Sequence, residues 1–278
     1  VTSPSLAPHA VFLDVDGTYA AHGVVPAAHV DAVRRARANG HAVLLCTGRP
    51  VCAVSPHLHE AGFDGLVTSA GAHVEVRGTV LADVRFPADV ARRTVEALDA
   101  QGALYALEAP ESMYGAPEVD ANMRAKAPDA DAAPERRKAF DVLHSALVVT
   151  DERASRSFSK VFVIDGGGPV QNVLDKVGPE VSVVAGSNEA LGERTGEIYL
   201  SHITKAVGME IARQALDVPH SRVVAAGDGP NDLELLREAG KSIVISTAIP
   251  ALTELADIIA APPEEHGLVA AFETLGLI

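Results

Sequence analysis

Two carboxylates, Asp14 and Asp16, stand one residue apart at the end of an apolar run, and Gly17-Thr18 follows at once. Alternation along a strand would point both acids the same way, with Val15 opposite. Like charges held that close are costly unless a cation or a proton is shared between them. Asp and Gly are also ordinary turn residues, so this stretch alone fits a solvated strand-to-loop turn too. Three further groups carry chemistry of a matching kind: Thr47-Gly48-Arg49, the lone Lys205, and Gly227-Asp228-Gly229-Pro230-Asn231-Asp232. Exposed amides where a strand turns into a helix favour anions. An ammonium supplies a point charge for a phosphate.

Each group sits where the hydrophobic pattern ends a strand or starts a helix. Ala10 to Leu13 reads as a short buried strand. Pro26 starts a helix with Val30, Val33 and Ala36 on one face, and Gly40 stops it. His41 to Cys46 is a second strand. Strand, helix, strand in so short a span is a βαβ unit, so the two strand ends lie side by side and Thr47 comes near Asp14. In open parallel sheets that edge is where ligands bind. A helix is expected from Pro50 to Ala61, then a strand over Gly65 to Ser69 and a hairpin of His73–Val76 with Thr79–Phe86.

From Arg85 the texture changes. A helix is expected from Pro87 to Gln101 and a strand from Ala103 to Leu107. Glu108 to Lys138 shows little periodicity and fits either a mobile insertion or an irregular loop plus a helix. Strands follow at Ser145–Val149, Ser159–Ile164, Val181–Ala185 and Glu197–Leu200, with one helix at Pro169–Lys176 among them. That pattern predicts an antiparallel sheet covered by two helices. The α/β rhythm returns with a helix from Lys205, capped by Thr204, and a strand over Ser221–Ala226 that leads into Gly227-Asp228. The fold class is therefore α/β: a parallel-sheet core over 1–82 and 201–278, with an α+β domain over 83–200 inserted in it.

Composition narrows the function. The 278 residues carry a net charge of −14, which disfavours nucleic acid and anionic membranes as partners. No apolar run reaches the length of a membrane span. The N-terminus lacks a basic segment followed by an apolar one, so no signal peptide is expected. The two cysteines, Cys46 and Cys52, have no zinc spacing and imply no disulfide framework, which fits a reducing cytoplasm. Gly166-Gly167-Gly168-Pro169 lacks the phosphate-loop patterns and reads as a turn. His57 and His59 lack metal-helix spacing, and no Gly-x-Ser-x-Gly is present.

The four groups, in this order, resemble the haloacid dehalogenase-like superfamily of phosphatases. The large insertion between Thr47 and Lys205 resembles that of the Cof-type branch. The resemblance implies a Rossmann-like core with a cap that closes over the site. It implies an Mg²⁺-dependent phosphatase acting on small phosphorylated metabolites, sugar phosphates among them, through an aspartyl-phosphate. Asp14 is then the nucleophile and Asp16 the acid/base, a role that burial and the neighbouring Asp14 would favour by keeping it protonated. The implied metal ligands are the Asp14 carboxylate, the Asp16 main-chain carbonyl and the Asp228 carboxylate, with Asp232 outside them or bound through water. The phosphate falls to Val15 N–H, Thr47, the Gly48 amide, Lys205 and Asn231.

Tyr19 stands where the family commonly has Leu, and it is expected at the entrance to the site. Glu108, Tyr114, Arg153 and Arg156 are cap residues whose polarity suits substrate contact. A phosphomannomutase-like mutase is one alternative, for which Arg136, Arg137, Lys138, Arg153 and Arg156 could supply a cationic cluster. A non-catalytic metabolite-binding protein is another. Hinges are expected near Ala82-Asp83 and Ser201–Thr204. Natural substrate and oligomeric state are left open.

Overall fold

The structure is a computed structural model that describes residues 7–185 and 191–278. The N-terminal reading of no leader falls partly on residues 1–6, outside the described ones. Two compact units form: Val1–Thr47, Pro56–Ala82 and Lys205–Ile278 make the first, and Gly48–Ser55 with Asp83–Thr204 the second. The chain therefore passes between units at four points, two more than the expected hinges.

The first unit begins with β1 (Ala10–Leu13), α1 (Ala27–Ala38) and β2 (Ala42–Cys46). β3 (Gly65–Thr68), β4 (His73–Val76) and β5 (Thr79–Asp83) follow. All residues of β1 and β2 are buried, as an uninterrupted apolar run with helices on both faces requires. The expected helix from Pro50 to Ala61 is absent. Two 3₁₀ turns, Val51–Ala53 and Pro56–His59, take its place. Pro56 is the reason: it has no N–H to donate and it drives Ser55 away from helical backbone.

The second unit carries α2 (Ala88–Gln101), β6 (Leu104–Glu108), β7 (Met113–Gly115), α3 (Pro117–Ala125) and α4 (Pro134–Ser145). β8 (Leu147–Val149), β9 (Lys160–Asp165), α5 (Gln171–Val177), β10 (Val181–Ala185) and β11 (Gly196–Leu200) complete it. Its six-stranded sheet has the order β10-β11-β9-β6-β7-β8. The pairings are antiparallel except β7 with β8, which run parallel, so the expected all-antiparallel sheet is corrected there. The stretch expected as a mobile insertion or a loop plus one helix holds α3 and the start of α4, two helices rather than one. Each opens on a proline at its first turn, with an acid nearby to suit the helix dipole. α3 buries only Val119 fully and α4 buries no residue fully, so neither imprints a helical period on the sequence.

The chain returns to the first unit with α6 (Lys205–Ala215), β12 (Val223–Gly227), α7 (Leu233–Arg237) and β13 (Lys241–Ile245). α8 (Pro250–Thr253), β14 (Ile258–Ala260) and α9 (Gly267–Thr274) end it. The eight-stranded sheet has the order β14-β13-β12-β1-β2-β3-β4-β5. From β14 to β3 every pairing is parallel, β4 turns back antiparallel on β3, and β5 lies beside β4, its expected hairpin partner. Phe12, Leu44, Val67, Met209, Val223 and Leu236 share one core. β1 has β12 on one side and β2 on the other, so the connections diverge at its end. That makes it a topological switch point, where such sheets open a crevice. Among the described residues no helix is long and apolar enough to cross a membrane.

Candidate active site

Register places the site. Leu13 pairs with Ala226 on one side and Leu45 on the other, so Asp14, Asp228 and Thr47 follow at one sheet edge. The Asp14 amide donates to Ala226 O at 3.0 Å. The chain then folds tightly on itself. Tyr19 N donates to Asp14 O (3.1 Å), Ala20 N to Val15 O (2.8 Å) and Gly17 N to Ala20 O (2.9 Å). Gly17 has φ +95°, and a Cβ there would overlap the Asp228 carboxylate, so only glycine lets the two loops meet. Thr18, wholly buried, donates its hydroxyl to Asp228 Oδ1 at 2.6 Å.

Lys205, 1% exposed, is the hub. Its Nζ lies 2.6 Å from Asp14 Oδ1 and 2.6 Å from Asp232 Oδ1. Asp232 Oδ2 accepts the Asp228 amide (3.1 Å) and the Gly229 amide (3.0 Å). Both oxygens of Asp232 are thus engaged by protein, and its work is to hold Lys205 and the loop after β12. Carboxylate oxygens of Asp14, Asp228 and Asp232 lie within 4.8 Å of one another. Burial first, then the neighbouring Asp232, raises the Asp14 carboxyl well above its usual range, against the pull of Lys205. Asp228 is raised by burial, with Thr18 opposing. Burial works against the Lys205 ammonium, yet Asp14 and Asp232 more than offset it and raise its pKa. A lysine so placed stays charged. An acidic, all-oxygen donor set of this kind fits a hard divalent cation, which would relieve the remaining repulsion.

The other expected residues divide. Thr47 is buried, its amide donating to Val67 O (2.8 Å) and its carbonyl accepting from Ala70 N (3.1 Å). Gly48 groups with the second unit. Asn231 is half-buried, its Oδ1 folded back over Gly229. Val15 has a fully buried side chain. Asp16 is exposed, so the burial expected for it is absent. Tyr19 does not stand at an entrance: it is fully buried, edge-on to Phe63 and stacked with His29. In the second unit Glu108 is buried against Lys160, Arg153 lies over Tyr105 and reaches Asp99 (3.0 Å), and Arg156 lies over Tyr114. His57 Nε2 lies 2.8 Å from Gly23 O.

Sequence reasoning missed Gly208 and gave no supporting role to Gly17 and Thr18, which it named only as part of the motif. Gly208 lies one turn after Lys205 on α6. A Cβ on it would come within 2.5 Å of Val67 Cγ1 and 3.0 Å of Gly71 Cα. We expect Gly208→Ala to push α6 off β3 and carry Lys205 with it. Overpacking should outweigh the gain in helix propensity, for a net loss of about 1–2 kcal/mol. Turnover should fall roughly tenfold or more, since misplacement on the ångström scale is costly in catalysis. Denaturant unfolding and steady-state rates on the same preparation check both figures.

The profile of the haloacid dehalogenase-like hydrolases matches residues 11–272. A Bacillus subtilis (strain 168) protein provisionally named a phosphatase, YkrA, is 25% identical over 273 residues, spanning 96% of this chain and 98% of its own. The 5-amino-6-(5-phospho-D-ribitylamino)uracil phosphatase YitU of the same organism is 38% identical over 72 residues, 26% of this chain and 27% of YitU. The solved structure of the subclass IIB sugar phosphatase BT4131 superposes with a TM-score of 0.77 at 19% identity, covering 97% of this chain and 100% of that one. With the profile spanning nearly the whole sequence, the chain belongs to the haloacid dehalogenase-like hydrolase family.

Proposed function

We propose that this hydrolase is an Mg²⁺-dependent phosphatase that cleaves phosphomonoesters of small metabolites, sugar phosphates among them, through an aspartyl-phosphate on Asp14. The observation that carries the reading is the cluster of buried Asp14, Lys205 and Asp232 with half-buried Asp228, in which Lys205 Nζ lies 2.6 Å from both Asp14 and Asp232. The phosphatase names of the relatives and the sugar phosphatase of like fold support it. Asp14 attacks phosphorus and the P–O bond to the leaving group breaks. Asp16 protonates that leaving oxygen and later takes a proton from the water that hydrolyses the acyl phosphate. Exposure of Asp16 suits a group that must exchange protons with both.

Asp14, Asp228 and the Asp16 main-chain carbonyl would hold the ion, with Asp232 behind them. Bound there, Mg²⁺ supplies charge neutralisation for clustered carboxylates and phosphoryl oxygens. Val15 N–H, Thr47, the Gly48 amide, Asn231 and Lys205 would bind the phosphoryl group. Two unpaired cysteines, one buried and one half-buried, support a reducing, cytoplasmic setting.

The mutase alternative needs cations to spare for a second phosphate. Arg153 is engaged by Asp99 and Tyr105 and Arg156 by Tyr114, which weighs against it. The test is hydrolysis of a panel of phosphate esters with Mg²⁺ and with chelator. Turnover should fall at least about a hundredfold on chelation and return with Mg²⁺. Chelator-insensitive turnover overturns the metal. Dependence on a sugar bisphosphate activator favours the mutase, and binding without hydrolysis favours the non-catalytic alternative.

A further inference from the structure

His29, in the first turn of α1, is wholly buried, and the reaction as read above gives it no role. Both of its ring nitrogens are used. Nδ1 lies 3.0 Å from the Tyr19 carbonyl oxygen, and Nε2 accepts the Leu268 amide at 3.4 Å. A carbonyl has no proton to give, so Nδ1 must carry one. An amide N–H needs a lone pair, so Nε2 must be bare. The two partners thus fix one neutral tautomer. Burial lowers the pKa of the ring and favours that neutral form, while the bond to Tyr19 O opposes it. His29, Tyr19, Leu268, Asp14 and Asp228 all lie in the first unit.

A buried histidine with satisfied nitrogens is ordinary core structure; the peptide this one holds is not. The Tyr19–Ala20 peptide is gripped at both edges. Its carbonyl accepts from His29, and its N–H, that of Ala20, donates to Val15 O at 2.8 Å. Val15 stands between Asp14 and Asp16. The Tyr19 amide donates to Asp14 O at 3.1 Å, and Gly17 N closes the turn on Ala20 O at 2.9 Å. Thr18, next in the chain, sends its hydroxyl to Asp228 Oδ1 at 2.6 Å. The turn from Asp14 to Ala20 therefore meets Asp228 on one side and rests on His29 on the other. The far end of the tether is firm as well. Leu268 is in the first turn of α9, where a Cβ on Gly267 would overlap the Ala261 backbone. Without His29 the carbonyl of the fully buried Tyr19 loses its donor, and the peptide is free to tip.

We infer that His29 is a positioning residue for the metal site: by donating from Nδ1 to Tyr19 O it fixes the turn that carries Asp14 and Asp16 and aims Thr18 at Asp228. This rests on the Mg²⁺-dependent phosphatase reading above. Two single substitutions separate the role from plain packing. Asparagine places its amide nitrogen near the Nδ1 position of histidine, so His29→Asn keeps the donor to Tyr19 O and gives up the acceptor for Leu268. Glutamine reaches the Nε2 position, so His29→Gln keeps the acceptor and gives up the donor. Each forfeits one buried hydrogen bond, and the two should lose similar stability. Mg²⁺ affinity should part them. The Mg²⁺ Kd without substrate should rise about tenfold in His29→Gln and stay within about threefold of wild type in His29→Asn.

The experiment is calorimetric titration of wild type and both variants with MgCl₂, substrate absent, beside urea unfolding and ester hydrolysis over a range of Mg²⁺. Nitrogen-15 NMR of the wild-type imidazole adds a readout that does not depend on the variants folding. It should show His29 protonated at Nδ1 alone, with that resonance moving as Mg²⁺ binds. Indistinguishable Mg²⁺ Kd values in the two variants, or weaker binding by His29→Asn than by His29→Gln, overturn the inference and leave the phosphatase reading standing. A His29 ring protonated at Nε2, or an Nδ1 resonance that ignores Mg²⁺, does the same. A wild-type protein that binds no Mg²⁺ and hydrolyses esters in chelator overturns the metal-dependent reading and the inference with it.

Discussion

Asp14→Asn should lower phosphomonoester turnover on the order of 10⁴-fold or more, because an amide oxygen is too weak a nucleophile to form the acyl phosphate. The fold should survive. Asparagine keeps the shape and can still accept a hydrogen bond from Lys205, which donates to Asp14 Oδ1 in the wild type. Stability in the absence of metal should even favour the variant as pH rises. Burial and the Asp232 charge raise the Asp14 carboxyl well above its usual range. A carboxyl raised in the folded state contributes stability below its unfolded pKa, and that contribution is lost as pH rises through the folded value. Asparagine has no such loss, so chelated Asp14→Asn should lose less stability than wild type between about pH 5 and pH 8. Added Mg²⁺ should reverse the order, since only wild type keeps the full carboxylate set and gains from binding. Denaturant titrations at both pH values, with and without Mg²⁺, read this directly. Wild-type turnover by the variant would remove Asp14 from the role of nucleophile.

Lys205→Met should be the most destabilising single change in the first unit. The ammonium is 1% exposed and touches two carboxylates that are themselves buried. Removing one partner of a buried ion pair costs about 3–5 kcal/mol, because the other partner stays buried without compensation. Here two are left. The Lys205 pKa is raised in the folded protein, so the wild-type contribution is complete below the unfolded lysine value of about 10.4 and is lost only above it. The deficit of the variant should therefore be large at pH 8. It should shrink towards pH 5 as the raised Asp14 carboxyl takes up a proton. Turnover should fall about a thousandfold or more, since the charge that holds the phosphoryl group is gone. Urea unfolding at the two pH values tests the first claim. A variant as stable as wild type at pH 8 would show that Lys205 is not the charge that holds Asp14 and Asp232 together.

Much of this was legible in the sequence. The strands that end at Leu13 and Cys46, the helix that starts at Lys205 and the strand leading to Asp228 all follow from local patterns. Buried parallel strands are short apolar runs, and glycine and proline mark their ends. Elements without a buried stripe were not legible. α3 and α4 bury almost nothing, so no period betrayed them, and the Pro50–Ala61 stretch has an apolar spacing that Pro56 overrules. Tyr19 misled because a hydroxyl suggested a wet position. Its ring is instead buried against Phe63 and His29.

What the sequence by itself determined is the inventory of chemical groups and the sheet edge each would reach. Residue types and strand ends are local facts, and parallel pairing aligns the ends. Only the tertiary structure decided how the acids differ. Asp232 spends both oxygens on Lys205 and two amides, Asp228 leans on Thr18, and Asp16 faces solvent. It also decided that His29 holds the carbonyl of Tyr19. These choices depend on distances of a few ångströms between residues up to 210 positions apart. Burial and charge at such range arise only once the chain has closed around them, and no local spacing encodes them.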